Sequence, residues 1–99
     1  MANKNLDSII KMLDDSAGVS VYINSPDEVY LEENDNFSQT ALKLSDVAEI
    51  NSILQELGQQ VGRSLSGDEK AAHFQLPDGK RVASFRPPGS TAPLIMISA

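Results

Sequence analysis

Residues 18–33 read GVSVYINSPDEVYLEE. Valine or isoleucine occupies every second position from 19 to 23, which is the period of a β-strand with one buried face. The Asn-Ser-Pro-Asp segment at 24–27 predicts a turn, because proline fixes φ and the flanking side chains supply hydrogen-bond acceptors. A second short strand follows at 29–32. This stretch therefore predicts two strands joined by a tight turn and makes the protein at least partly β.

Helical periodicity lies on both sides of these strands. Apolar residues at 6, 9, 10 and 13 predict an amphipathic helix over about residues 4–15, with Gly18 as its stop. A second helix is predicted over about residues 46–61, where apolar residues recur at three- and four-residue steps. Ser45 is its predicted N-cap and Gly62 its predicted end.

Four more strands complete the pattern. One is predicted from about Ser38 to Leu44, after an Asn-Asp-Asn turn. An Asp-Gly pair between short alternating runs at 72–76 and 81–85 predicts a hairpin. A last apolar strand is predicted at 94–97.

The order of elements is therefore α-β-β-β-α-β-β-β. Short turns join the strands, so most neighbouring strands are expected to be antiparallel, and two helices can cover one face of such a sheet. We predict a single α+β domain over residues 1–99, built as two layers. The polar stretch 64–69 and the Pro-Pro-Gly at 87–89 are predicted loops.

Composition excludes several classes of function. The 99 residues include 14 acids, 8 bases, one histidine and no cysteine. Without cysteine there is no disulfide scaffold, thiolate zinc site or iron–sulfur cluster, and His73 alone cannot form a multi-histidine site. The net charge of −6 argues against nucleic-acid binding. No phosphate-binding loop or nucleophile elbow is present, so we predict no catalytic residue, no metal and no cofactor.

The location and the charge distribution also follow from the sequence. No apolar run approaches the length of a membrane span, and the N-terminus is no secretory signal, so a cytoplasmic protein is expected. Residues 1–58 hold eleven acids and three bases, whereas residues 59–99 hold three acids and five bases. This asymmetry indicates either an ordinary solvated surface or a molecule that meets a copy of itself, or a partner, head to tail.

Three arginines of the basic part, residues 59–99, are candidate contacts for an anion. Arg81 lies beside the predicted hairpin turn, Arg63 follows the long helix, and Arg86 follows the strand that Arg81 begins. Positions 81 and 86 differ by an odd number, so the two side chains are expected on opposite sides of the sheet. A guanidinium can bind phosphate or carboxylate through two parallel hydrogen bonds. The alternative is that these residues supply solubility and local ion pairs.

Four motifs in order resemble a known family. They are GVSVYINSPDEVYLE at 18–32, VGR at 61–63, LPDGKRVA at 76–83 and PP at 87–88. Together they are similar to the N-terminal domain of secretion traffic ATPases of the type II/type IV superfamily, in particular the tight-adherence pilus ATPases of bacteria. The resemblance covers about residues 15–98.

This resemblance implies a PAS-like α+β domain that forms a ring of six above a catalytic ring. It also implies that an arginine matching Arg81 reaches the nucleotide phosphates or a domain interface. The family places an arginine near the last strand where this chain has Ser98, and its catalytic domain follows. We therefore expect a free-standing relative without the catalytic domain, and weak or no nucleotide binding.

Three functions are compatible with these observations. The first is a non-catalytic interaction or regulatory module that associates with itself, with a secretion or pilus ATPase, or with its membrane platform. The second is the excised N-terminal domain of a hexameric ATPase, which contributes arginines to the nucleotide site. The third is a small acidic secretion chaperone. None of them requires nucleic acid or direct insertion into a membrane.

Overall fold

The helices and strands follow one another in the predicted order in a computed structural model, which describes residues 4–15, 18–63, 71–86 and 93–98. Their bounds are α1 (Lys4–Asp15), β1 (Ser20–Ser25), β2 (Glu28–Glu33), β3 (Asn36–Gln39), α2 (Val47–Gln59), β4 (Ala71–Gln75), β5 (Arg81–Phe85) and β6 (Leu94–Ser98). The loops predicted at 64–69 and 87–89 lie outside the described residues. Neither described helix is long and apolar enough to cross a membrane.

The six strands form one sheet in the order β3-β2-β1-β6-β5-β4, and every neighbouring pair is antiparallel. Each half of the chain supplies three consecutive strands. The halves join at the centre, where Val21 of β1 lies opposite Ile97 of β6 and Ile23 lies opposite Ile95. The predicted α+β class is therefore confirmed, with one continuous antiparallel sheet.

The core lies between one face of this sheet and the two helices, and we call this face the covered face. Alternate strand residues point into it, and the buried stripes of both helices meet them. The helices contribute Leu6, Ile9, Leu13, Ile50, Ile53, Leu54 and Leu57, and the central strands contribute Val21, Ile23, Val82, Ile95 and Ile97. Each large aliphatic side chain buried in this way contributes about 1.5–3 kcal/mol to folding.

The N-terminus of α2 differs from the prediction by one residue. Asp46, not Ser45, is the N-cap: its Oδ1 accepts the backbone N–H of Glu49 at 3.0 Å. The Glu49 carboxylate in turn accepts the backbone N–H of Ser45 at 2.6 Å and the side-chain amide of Asn5 at 2.8 Å. The same carboxylate thus closes the helix end and connects it to α1.

The C-terminus of α2 agrees with the prediction. Gly62 adopts a left-handed conformation, with φ of 70°. The turn allows the N–H of Arg63 to donate to the Gly58 carbonyl oxygen at 2.9 Å, which is the typical closure of a helix by glycine.

The third strand is shorter than predicted and begins earlier. Asn34 and Asp35 both have positive φ, 54° and 64°, so they form a two-residue hairpin turn and β3 begins directly after them. The strand ends at Gln39, and its last contacts with β2 come from Thr40, whose N–H and hydroxyl both donate to the Val29 carbonyl oxygen at 2.9 Å each. Beyond it the chain leaves the sheet and buries Leu44 against the core.

Candidate functional site

The other face of the sheet carries no described helix, and we call it the open face. Its outward-pointing residues alternate with the buried ones along each strand. The open face includes Ser20, Tyr22, Asn24, Glu28, Tyr30, Glu32, Phe37, His73, Arg81, Ala83, Phe85, Leu94, Met96 and Ser98. A sheet face with this many large apolar side chains is typical of a contact surface.

Exposed aromatic and aliphatic residues concentrate on this face. Phe37 is 61% exposed, Phe85 52% and Leu94 38%. Of the large hydrophobic residues that are exposed in the described part of the chain, only Val61, at the end of α2, lies elsewhere. Solvent therefore meets the apolar surface of the described residues mainly at the open face.

A groove of about 270 Å³ runs over the middle of the open face. Tyr22 and Asn24 of β1, Leu94 and Met96 of β6, and Ala83 and Phe85 of β5 line it. Ala83 forms part of the floor because its short side chain lies between larger ones on neighbouring strands. The groove is lined mainly by apolar atoms and holds no carboxylate or base, so it suits an apolar side chain better than an anion.

Tyr22 connects the groove to Glu32 and Phe37, which lie beside it on the open face. Its hydroxyl donates to Glu32 Oε1 at 2.8 Å, and its ring contacts that of Phe37 with centroids 5.4 Å apart and planes tilted by 48°. The hydrogen bond to Glu32, together with burial and the negative charge of that carboxylate, raises the pKa of Tyr22. The phenol therefore remains a donor and holds the Glu32 carboxylate in place.

Acid and base occupy opposite halves of the open face. One row of cross-strand neighbours crosses the four central strands. It consists of Glu32 on β2, Ser20 on β1, Ser98 on β6 and Arg81 on β5. Three strand spacings separate the acid from the base, about 14 Å, so they form no ion pair within one chain. The charge asymmetry of the sequence thus becomes an asymmetry between the two halves of one surface.

The three arginines expected at an anion site lie apart. Arg81 is exposed on the open face. Arg63 donates to the His73 carbonyl oxygen at 3.2 Å and stacks over the Phe74 ring at 5.8 Å. Arg86 lies on the side of α2, where it donates to Asn51 Oδ1 at 3.0 Å. Arg81 and Arg86 therefore lie on opposite sides of the sheet, as their spacing predicts, and a nucleotide role for the three stays a prediction.

Lys80 is the basic residue whose role the sequence analysis missed. It is buried, and its Nζ lies 2.7 Å from Asp14 Oδ1 and 2.7 Å from Asp78 Oδ2. The hydrogen bond to Asp14, followed by that to Asp78, raises the pKa of Lys80, and the same Lys80 bond lowers the pKa of Asp78. Lys80 thus ties the end of α1 to the β4–β5 hairpin, a structural role.

A second depression, of about 500 Å³, lies between the two helices and this hairpin. Leu6, Ile10 and Leu76 contribute apolar surface, and Asp7, Glu56 and Asp78 contribute carboxylates. Its lining includes no base, so the described residues offer no anion site there. Nor do they include a group of three His, Asp or Glu side chains placed to bind a metal.

Comparison with known proteins adds a structural relative. No family model matches the chain, and no curated protein matches it in sequence. Among solved structures it is similar to the VirB11 ATPase of the Brucella suis type IV secretion system, determined in complex with sulphate, with a TM-score of 0.78 and 24% identity. The match covers 98% of this chain and 31% of that chain, so this protein spans less than a third of the ATPase. The chain therefore shares the fold of one part of a type IV secretion ATPase.

Proposed function

We propose that this domain is a non-catalytic interaction module of a bacterial secretion or pilus-assembly apparatus, and that it acts in the cytoplasm. Two independent lines of reasoning support this. The sequence motifs resemble the N-terminal domain of secretion traffic ATPases, and the fold is that of part of one such ATPase. The described residues offer apolar contact surface and no constellation of catalytic groups.

The open face is the proposed working surface, and it is the observation that carries the proposal. Phe85 and Leu94 line its groove while remaining well exposed. Leaving such side chains in water forgoes on the order of 1–3 kcal/mol each, which a partner recovers when it covers them. The partners we propose are a second copy, a secretion or pilus ATPase, or its membrane platform.

A nucleotide-contacting role for Arg81 is the second candidate. Its exposed guanidinium is available to an anion or to a catalytic domain that covers the open face. Arg63 and Arg86 are held by His73 and Asn51, so they would have to give up these contacts to join it. We therefore favour the interaction module over a nucleotide-contacting role for Arg81.

Binding to apparatus components tests the proposal. The 99-residue chain is immobilised, and the purified secretion ATPase and the cytoplasmic part of the platform protein from the same bacterium are passed over it. We expect one of them to bind, and Phe85→Ser to weaken binding at least about tenfold. Val61→Ser is the matched control, because it removes an exposed apolar side chain away from the open face, and it should change the affinity less than about twofold.

Two outcomes would contradict the proposal. One is the absence of binding to any component, and the other is an equal loss with both variants. Calorimetry with MgATP tests the second candidate. Micromolar affinity that Arg81→Ala abolishes would favour the nucleotide role over the interaction module.

A further inference from the structure

We propose that two copies of the chain pair through their open faces about a two-fold axis that runs parallel to the strands between β1 and β6. Glu32 of each copy then meets Arg81 of the other. This inference rests on the proposed function, because it assigns a second copy to the same surface.

The strand order makes the acid and the base exchange places. β2 and β5 lie at equal distances on either side of the boundary between β1 and β6. Glu32 and Arg81 also lie in one cross-strand row, through Ser20 and Ser98. A half-turn about an axis along that boundary therefore places each Glu32 over the partner's Arg81, and the contact occurs twice, as symmetry requires.

The next row brings apolar side chains together along the axis. Tyr30, Tyr22, Met96 and Ala83 are consecutive cross-strand neighbours. The same half-turn places Tyr22 over Met96 of the second copy and Tyr30 over its Ala83. An aromatic ring thus faces a flexible thioether or a small residue, a combination that packs well.

Charge distinguishes this axis from the alternative. A two-fold axis across the strands would place β2 over β2, so Glu28 and Glu32 would face the same carboxylates of the second copy. On β5 the same half-turn would place Arg81 over Phe85 of the second copy, so no carboxylate would face the guanidinium. The axis parallel to the strands is therefore the arrangement that places each Glu32 carboxylate opposite an Arg81 guanidinium.

The spacing between packed sheets permits the contact between Glu32 and Arg81, but the small area of the open face limits the stability of the dimer. Packed sheets lie about 10 Å apart, which the side chains of glutamate and arginine can bridge together. Glu32 can accept from Arg81 and from Tyr22 at once, because a carboxylate has several acceptor sites. Six strands about five residues long give a flat area of roughly 400 Å² per copy, below the usual ~800 Å² of a stable interface. We therefore expect a weak, concentration-dependent dimer.

Charge reversal provides the first test. Sedimentation velocity is measured on the 99-residue chain from about 10 μM to about 1 mM. Glu32→Arg alone and Arg81→Glu alone should each weaken dimerisation at least about tenfold, whereas the double variant should return it to within about threefold. Glu33→Arg is the matched control: it changes the charge equally on the same strand, but position 33 does not belong to the open face.

Crosslinking tests the axis itself. The chain has no native cysteine, so only the introduced cysteines can react with the crosslinker. An equal mixture of the Glu32→Cys chain and the Arg81→Cys chain should form covalent dimers with a short bismaleimide, because one pair of cysteines then faces across the axis while the other Glu32–Arg81 contact is kept. A bismaleimide is used because facing sheets are too far apart for a direct disulfide. Each single variant should form few, since equivalent positions lie about three strand spacings apart across the axis.

The outcomes separate this inference from the proposed function. A monomer at 1 mM, a hexamer, a double variant that stays monomeric, or efficient crosslinking of a single variant would each overturn the two-fold pairing. If Phe85→Ser still abolished binding to an apparatus component, the open face would remain the working surface with a different occupant. If the chain did not dimerise and Phe85→Ser left binding to apparatus components unchanged, both proposals would be overturned.

Discussion

The two faces of the sheet use the same strands for different purposes. On the covered face, Val21, Val82 and Ile97 are fully buried under the helices. On the open face, residues of the same three strands include a tyrosine, an alanine and a methionine, with Phe85 beside them. Strands that are apolar on both sides usually lie between two layers. The described residues therefore cover one face of the sheet with helices and leave large apolar side chains of the other face exposed to solvent.

The largest effect should come from the covered face. Leu57→Ala removes a fully buried side chain of α2, and we expect the free energy of unfolding to fall by about 2–5 kcal/mol. Phe85→Ala is the matched control on the open face and should change it by less than about 0.5 kcal/mol. Urea unfolding followed by circular dichroism measures both. A loss of several kcal/mol from Phe85→Ala would show that the open face belongs to the core of the monomer.

A smaller effect should distinguish two neighbouring bases. Lys80 bonds two aspartates on the covered side, whereas Arg81 is exposed on the open face. We expect Lys80→Ala to cost about 1–2 kcal/mol, because two charged hydrogen bonds are lost from partners that water can still reach. Arg81→Ala should cost less than about 0.5 kcal/mol while weakening self-association. Equal losses from both variants would remove the structural distinction between them.

The smallest effect should appear in the dependence of stability on pH. Lys80 holds the pKa of Asp78 below its ordinary value. The stabilisation from Asp78 is therefore complete above its unfolded pKa and is lost as the pH falls through the lower, folded pKa, in the range below about pH 4. Asp78→Asn should flatten this part of the curve in urea titrations between about pH 2 and pH 7. An unchanged slope would mean that the carboxylate is not coupled to folding.

Periodicity predicts most of the fold. The order of eight elements follows from local patterns, and α1 has the predicted bounds of 4–15. The predicted bounds of the third strand were wrong because apolar alternation continues to Leu44, while the strand pairing with β2 stops at Gln39 and the last hydrogen bonds to β2 come from Thr40. Ser45 and Asp46 are equally good caps by residue type, so only the geometry of the first turn separates them.

The site was harder to predict than the fold. Arg81 and Arg86 lie on opposite sides, as their spacing predicts. The ion pairs of Lys80 join residues distant in sequence, so no local pattern reveals them. The open face is visible only once strand order is known, since Tyr22 meets Met96 through a pairing of the first strand with the last. The sequence signal that could have revealed the open face is the presence of aromatic residues at outward-pointing strand positions, namely Tyr22, Phe37 and Phe85.

The position of β6 has a consequence for how the protein is made. This strand is the last described element, yet it lies in the middle of the sheet between β1 and β5. During synthesis, the two groups of strands on either side of it cannot join until it has left the ribosome. Contacts between residues as far apart as Ser20 and Ser98 are slow to form, because a long loop must close before they stabilise anything. The sheet of the nascent chain is thus expected to remain incomplete, with β1 as an unpaired edge, until β6 has emerged from the ribosome.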